Sequence, residues 1–388
     1  MAQPAHHILP ARTEHMPMIS VPAMQWRLAG HIRAIGREAW NACFHNEPES
    51  YDYLLAVEEA GLKGFALRYA VLECGGQVCA AMPAFFMDYS LGTTLGGAPR
   101  RFIQRVQKIF PRFLVLKLAC LGSPVTESGM VGFHEDVPES RQGEMLRLLL
   151  EGFSRDALRQ GSRLIGVRDV PQWQKPLWDK MAYPLGFRSL PSMPTAYLDI
   201  DFSTIGEYIS CLSGGTRKDM RRKLRTLEAL RIEHRTNIDD VLPQVQRLYL
   251  DARARGDFEF EELTPEYFSG VLKRMGAEAH CTLYYAGEQL LAANLMLKNR
   301  HTLLDKFFCM DGAVGREYNL YFLSWFTNVR YCLEHGLTCY QSGQAGYDAK
   351  RRLGSRLSPN WLLFRHANPI LGGLLRLMAP LLAMGEDV

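Results

Sequence analysis

At 388 residues the chain is longer than one hydrophobic core usually fills, so two domains are expected. A hydrophobic content of 47% and a charged content of 22% exclude a disordered or fibrous protein. The formal net charge of +4 is too mild to call for nucleic acid as an obligate partner.

In chain order, residues 1–25 hold Pro4, His6, His7, Pro10 and Pro17 without a periodic apolar face, which predicts a loose arm. No basic n-region runs into an apolar h-region, no apolar run reaches membrane-spanning length, and the cysteines are scattered without C-x-x-C spacing; the expected compartment is a reducing cytoplasm. Helices are expected around 33–43 and 50–60. A hairpin follows over 66–87: an apolar strand from Tyr69, a turn at Gly75 and Gly76 with Gln77, then a strand opening on Ala80 and Ala81. The basic, apolar stretch 100–117 fits helix or strand, and Gly122 to Met130 reads as a loop. An amphipathic helix over 141–160 ends at Gly161 and hands over to a strand at 163–170. Pro171, Pro176, Pro184, Pro191 and Pro194 then break regular structure, with one short helix at 177–187.

The second half opens with a strand at 195–201 and a helix from Thr204. Next comes a strongly basic helix, in which Arg217, Lys218, Arg221, Arg222, Lys223 and Arg225 stand against Asp219 alone. Met220, Leu224, Leu227 and Leu230 share its apolar face. The charges are either a solvated face or a dock for a phosphorylated partner: a carrier's phosphopantetheine arm, the acidic carrier itself, a nucleotide-linked sugar or tRNA. A strand at 232–236 and a helix at 240–255 follow, then a helix at 264–275 announced by Thr264 and Pro265. The hairpin 281–297 repeats the first one, with its turn at Gly287, a Gln at 289 and a second strand carrying Ala292 and Ala293. A strand at 301–310, a helix at 318–335 ending before Gly336, and a strand at 338–342 complete the copy. The duplication predicts two similar half-molecules. The apolar stretch 369–384, interrupted by Pro369, Gly372, Gly373 and Pro380, is expected to be a helix docked on the protein, with a membrane surface or a partner as the other option.

These residues resemble a known pattern. The tract Tyr208 to Arg225 is similar to the "Leu-Ser…Arg-Lys…Arg-Arg" helix of the Fem-type transferases. Leu248 to Gly256, followed by Tyr267 and Phe268, resembles their "Leu-Tyr…Arg…Tyr-Phe" element, and Gln344 to Gly354 resembles their closing "Gly…Tyr-Lys…Gly" segment. Glu49 to Gly61 is similar to bacterial proteins grouped with peptidoglycan biosynthesis. The resemblance covers residues 30–360. It implies an α/β fold of two tandem GNAT-like domains with mixed sheets flanked by helices: an arm at 1–25, domains at 26–190 and 191–365, and an apolar tail at 366–388. It also implies acyl transfer to the amine of a small molecule or amino-acid-type acceptor.

No cofactor is expected to be tightly bound; acyl-CoA or an acyl carrier protein would be the donor substrate, with aminoacyl-tRNA as the alternative. A non-catalytic binding module is a further alternative. The chain lacks the pyrophosphate loop of CoA-dependent GNAT enzymes and the helical-hairpin arm of some cell-wall enzymes, so the donor stays open. No P-loop, dinucleotide-binding fingerprint, G-x-S-x-G or metal-ligand spacing is present.

In a GNAT-like site the chemistry gathers where two parallel strands splay apart, here 301–310 and 338–342. Asp305 would be the base or would orient the amine, and Lys306 would steady an anion; strand alternation lets only one of them face the cleft. Tyr347 would protonate the leaving thiolate. Gln341, Ser342 and Lys350 would line the acceptor pocket. Gly312, Gly315 and Arg316 would face the pantetheine or phosphate at a helix N-terminus. Arg217, Arg221 and Arg222 would bind the phosphorylated partner.

Overall fold

The computed structural model describes residues 24–90, 105–106, 109–110, 115–255, 260–368 and 370–373. Most of the expected N-terminal arm, the stretch 100–104 and the apolar tail beyond Gly373 lie outside the described residues.

The first half begins with a strand that the sequence did not announce, β1 (Met24–Ala29). The helix expected at 33–43 is a 3-10 turn at Ile32–Ala34 and a short α1 (Arg37–Asn41), because Gly36 between them adopts φ 89°. Then come α2 (Tyr51–Ala60) and the hairpin of β2 (Ala66–Cys74) and β3 (Gln77–Ser90). β4 (Val115–Leu121) settles the helix-or-strand alternative for its part of the basic stretch, and β5 (Gly132–Phe133) is a short partner of β3. α3 (Glu139–Arg159) buries Met145, Leu149, Phe153 and Ala157 at intervals of four, with Leu146 and Leu150 beside them. Each large apolar side chain so buried contributes about 1.5–3 kcal/mol. Gly152 on this helix lets Trp26 of β1 lie against it: a Cβ there would stand 2.4 Å from the indole. β6 (Leu164–Pro171) and α4 (Lys175–Ala182) follow.

β7 (Arg188–Asp199) corrects the reading of 171–194 as irregular, since the strand runs through Pro191 and Pro194. Both prolines lie where β7 pairs with only one neighbour, since its second neighbour begins at Ala196, and an edge position of this kind tolerates proline. The second half continues with α5 (Ile205–Cys211), α6 (Gly214–Leu224), β8 (Arg231–Arg235), α7 (Leu242–Arg255) and α8 (Pro265–Met275). Thr264 caps α8 by accepting from the Tyr267 N–H, with Pro265 in the first turn as expected. The second hairpin is β9 (Ala279–Ala286) and β10 (Gln289–Lys298). Then come β11 (Thr302–Met310), α9 (Val314–Glu317), α10 (Leu320–His335), β12 (Cys339–Gly343), α11 (Tyr347–Arg352) and β13 (Arg356–His366).

The strands form one sheet in the order β1-β2-β3-β4-β6-β13-β7-β12-β11-β10-β9-β8. Read from either end the arrangement is the same: four antiparallel strands, a parallel pair (β4 with β6, β11 with β12), then the central β13 and β7. The last strand of each half therefore lies against the other half. β13 pairs with β6, and β7 pairs with β12. The expected boundary at 190/191 falls inside β7. α2 and α8 occupy matching places and pack together in one core through Tyr53, Val57, Tyr267 and Phe268. The hydroxyls of Tyr53 and Tyr267 lie 3.0 Å apart.

Candidate active site

The site forms where the second parallel pair ends. β11 and β12 are paired only from Thr302 opposite Cys339 to Leu304 opposite Gln341. Beyond that, β12 turns through Gly343, Ala345 and Gly346, all at positive φ, into α11. A cavity of about 480 Å³ opens in the gap. Its lining includes Asp305 and Lys306 of β11, Tyr321 of α10, Tyr340 and Ser342 of β12, and Lys350 of α11.

Asp305 and Lys306 both reach the cavity, which corrects the expectation that only one could. They still leave the strand in different directions: Asp305 is bonded towards α10, Lys306 towards the first half. The gap exposes the β11 edge to both sides. A register shift adds to this, because Met296 pairs with Asp305 and Leu295 with Phe307, which leaves Lys306 as the extra residue of a bulge.

Three donors converge on Asp305 Oδ2: Tyr340 Oη at 2.8 Å, and the side-chain amides of Asn294 and Asn328 at 3.3 Å each. Burial pushes the carboxyl up to about 6, and hydrogen bonds from Tyr340 and Asn294 and the charge of Lys350 hold it from rising further. Lys350 is buried and donates to the carbonyls of Ser342 at 2.6 Å, Gly343 at 3.1 Å and Gln344 at 3.0 Å. Burial lowers its pKa to about 8, and the lysine clamps the turn that opens the gap.

Lys306 Nζ lies 2.6 Å from Glu49 Oε1 and 3.5 Å from Glu127 Oε1, with its side chain only 6% exposed. Burial opposes its charge, but the two carboxylates outweigh burial and hold its pKa well above the ordinary value. Both carboxylates come from the first half. Glu49 Oε2 also accepts the Glu127 N–H at 2.8 Å, and Tyr53 donates to the Val125 carbonyl at 2.6 Å, so the loop Pro124–Glu127 is fixed as a wall of the second half's cavity. Arg168 of β6 is held by Asp169 at 2.7 Å and by the Pro124 carbonyl at 2.8 Å, and it also lines the cavity.

The matching gap of the first half, past Leu121 opposite Val167, is filled. A Cβ on Gly122 would stand 2.8 Å from Arg168 Cγ, and one on Gly129 would stand 1.8 Å from the Arg168 carbonyl oxygen. The loop after β4 is thus pressed onto β6.

Of the expected site residues, Asp305, Lys306, Ser342 and Lys350 line one cavity. Gln341 is paired within β12 and is not among the lining residues. Tyr347 donates its hydroxyl to the Pro194 carbonyl at 2.9 Å, at the foot of α11 rather than in the lining. Gly312 packs on the end of α7, where its N–H donates to Asp251 and a Cβ would meet the Arg255 guanidinium at 2.8 Å. Gly315 is buried against Met310, and Arg316 lies on α9. Arg217, Arg221 and Arg222 lie on α6, outside the lining.

The sequence reading missed Tyr321, which lines the cavity and whose buried hydroxyl has no hydrogen-bond partner among the described residues. Burial raises it to about 12, so it stays protonated at neutral pH. It also missed Glu127, Arg168 and the amides Asn294 and Asn328; only the amides left a signal, as polar residues inside apolar elements. Among the described residues no helix is long and apolar enough to cross a membrane. No cluster of three or more His, Cys, Asp or Glu among them is placed to hold a metal.

The profile of the FemAB-like family, described as peptidoglycan biosynthesis/recognition, matches residues 31–376. A Mycobacterium tuberculosis protein provisionally named 8-amino-7-oxononanoate synthase 2 is 21% identical over 325 residues, covering 82% of this chain and 42% of that protein. The chain thus spans less than half the length of the curated relative it matches. Among solved structures, FemX is similar with a TM-score of 0.54 at 14% identity, over 81% of this chain and 91% of FemX. A tandem GNAT protein from the clavulanic acid biosynthesis pathway gives a TM-score of 0.53 at 14% identity, over 89% and 99% of the two chains. L-PGS from Bacillus licheniformis gives 0.51 at 13% identity, over 88% and 99%. These likenesses establish the fold: two GNAT-like halves in one chain.

Proposed function

We propose that this chain, which belongs to the FemAB-like family of acyltransferases, transfers an acyl group from a thioester donor to the amine of a small-molecule or amino-acid-type acceptor. The observation that carries this reading is Asp305: a carboxylate on the cavity wall, at the parting of two parallel strands, raised to about 6. At neutral pH it is ionised yet basic enough to take a proton, the balance a general base needs.

The acceptor amine attacks the thioester carbonyl, forming the N–C bond, and its proton passes to Asp305. Past Leu304 the β11 edge no longer has β12 beside it, so its backbone N–H groups are positioned to hold the oxyanion. As the C–S bond breaks, the Tyr321 hydroxyl protonates the leaving sulfur. Asp305 then releases the proton it took to solvent and Tyr321 regains one from solvent, which restores both groups. The sum is one amide and one thiol from one amine and one thioester.

Thiol release and product mass, measured with a panel of acyl-CoAs and amines, test the reading. Asp305→Asn should lower turnover by about 10²–10⁴-fold, and Tyr321→Phe should lower it most with poor leaving groups. Full turnover in Asp305→Asn would refute the assignment. Family membership and the likeness to FemX favour aminoacyl-tRNA as a second donor; activity destroyed by RNase would select it.

A further inference from the structure

A cationic ridge lies on a helix that contacts two elements of the cavity wall. α6 and the turn that continues it carry Lys218, Arg221, Arg222 and Arg225 at i, i+3, i+4 and i+7, all exposed. Met220 is buried on the opposite side, with Leu224 packed beside it. The acid within α6, Asp219, is already bonded by Arg222 at 2.9 Å, Lys223 at 3.0 Å and Arg352 at 3.3 Å. Hydrogen bonds from Arg222 and Lys223 hold it down to about 2, so it is ionised and engaged with these three cations, while Lys218, Arg221 and Arg225 are not among its partners.

Two elements join the ridge to the cavity. Tyr321 lines the cavity, and the next residue, Phe322, lies 3.4 Å beneath the Lys223 ammonium. Lys350 lines the cavity, and two residues on, Arg352 reaches Asp219 on α6.

We infer that the ridge is the dock for an acidic acyl carrier protein, whose phosphate-linked thioester arm runs past Tyr321 to Asp305. The inference rests on the thioester reading above and names its donor. Charge complementarity sets the sign of the partner. Its extent sets the class: one eleven-residue helix is about 16 Å long, the length of an acidic helix face. A net charge of +4 is mild for a chain that tracks RNA. No exposed large aromatic stands on the ridge to stack a base. Transfer from the arm breaks the carrier's thioester, forms the amide and leaves the carrier thiol protonated.

The test uses the full chain and a holo acyl carrier protein of a dissociated fatty-acid system, titrated by calorimetry at about 50 and about 200 mM salt. The Lys218→Glu/Arg225→Glu double variant is compared alongside, with acyl-pantetheine, which lacks the carrier, as a second donor. The carrier should bind, more weakly at the higher salt. The double variant should lose about tenfold or more in affinity while keeping its turnover of acyl-pantetheine. Absence of carrier binding, equal binding by the variant, or displacement of the carrier by bulk tRNA overturns the inference. Carrier binding that the variant loses, without thiol release from either donor, keeps the dock and overturns the transfer reading instead.

Discussion

Asp305 and Lys306 are neighbours with opposite charge, and each answers to a different part of the molecule. Lys306 belongs to a buried trio with Glu49 and Glu127, and its raised pKa means that its contribution is fully present below about 10 and fades only as pH climbs through the folded value. Lys306→Met leaves two carboxylates facing one another without their cation and should cost about 3–5 kcal/mol in urea unfolding at pH 7; adding Glu49→Gln should return part of that loss. Asp305 has the opposite sign. Its folded pKa of about 6 exceeds the ordinary 3.8, so the folded state holds a proton the unfolded chain has released, and stability falls as pH rises between the two. Above pH 6 the penalty is complete, about 3 kcal/mol. Asp305→Asn should therefore be more stable than wild type at pH 7–8 and equal to it below pH 4; a less stable variant at pH 7 would show that the carboxylate is not strained. The sequence made these two residues visible because they interrupt an apolar strand. Glu127 and Arg168 were invisible: Glu127 meets Lys306 across 179 residues of chain, and no local pattern encodes that contact.

The hairpins, the capped α8 and the amphipathic α3 were legible, because turn glycines, a Thr-Pro start and a four-residue apolar repeat are local signals. The end of β7 was legible as the strand expected from Thr195, but its first part, 188–194, was hidden behind its prolines, which usually exclude a strand but are tolerated where it has one neighbour. β1 was hidden because its short alternation includes no buried run. Its place depends instead on Trp26, whose indole N–H donates to Asp156 at 2.7 Å while its ring lies over Gly152. Gly152→Ala puts a methyl group into that ring and should destabilise the protein by about 1–3 kcal/mol, with a red shift of tryptophan emission as Trp26 is displaced. An unshifted spectrum with unchanged stability would mean that β1 docks elsewhere. Phe153→Ala, one position on, removes a side chain at 0% exposure and should cost about 3–5 kcal/mol.

At the scale of the molecule, the repeat announced two halves but not their exchange of strands, since β13 pairs with a strand of the other half and sequence periodicity carries no register. The exchange makes the halves interdependent, and truncation after Gly354, which removes β13, should abolish a single cooperative unfolding transition rather than melt one half alone. It also explains why a duplicated fold has one open gap: the first half fills its own with the loop 122–131 and turns that loop's far side into a wall for the second. The proposed acyl transfer takes place in that gap with Asp305 as base. Its most direct test is kcat/KM for thiol release from the best thioester donor, measured from pH 5 to pH 8 for the wild type and Asp305→Asn. The wild-type rate should rise through about pH 6 to a plateau, and the variant should be slow and lack that rise; a variant matching the wild type in level and profile would rule out Asp305 as the base.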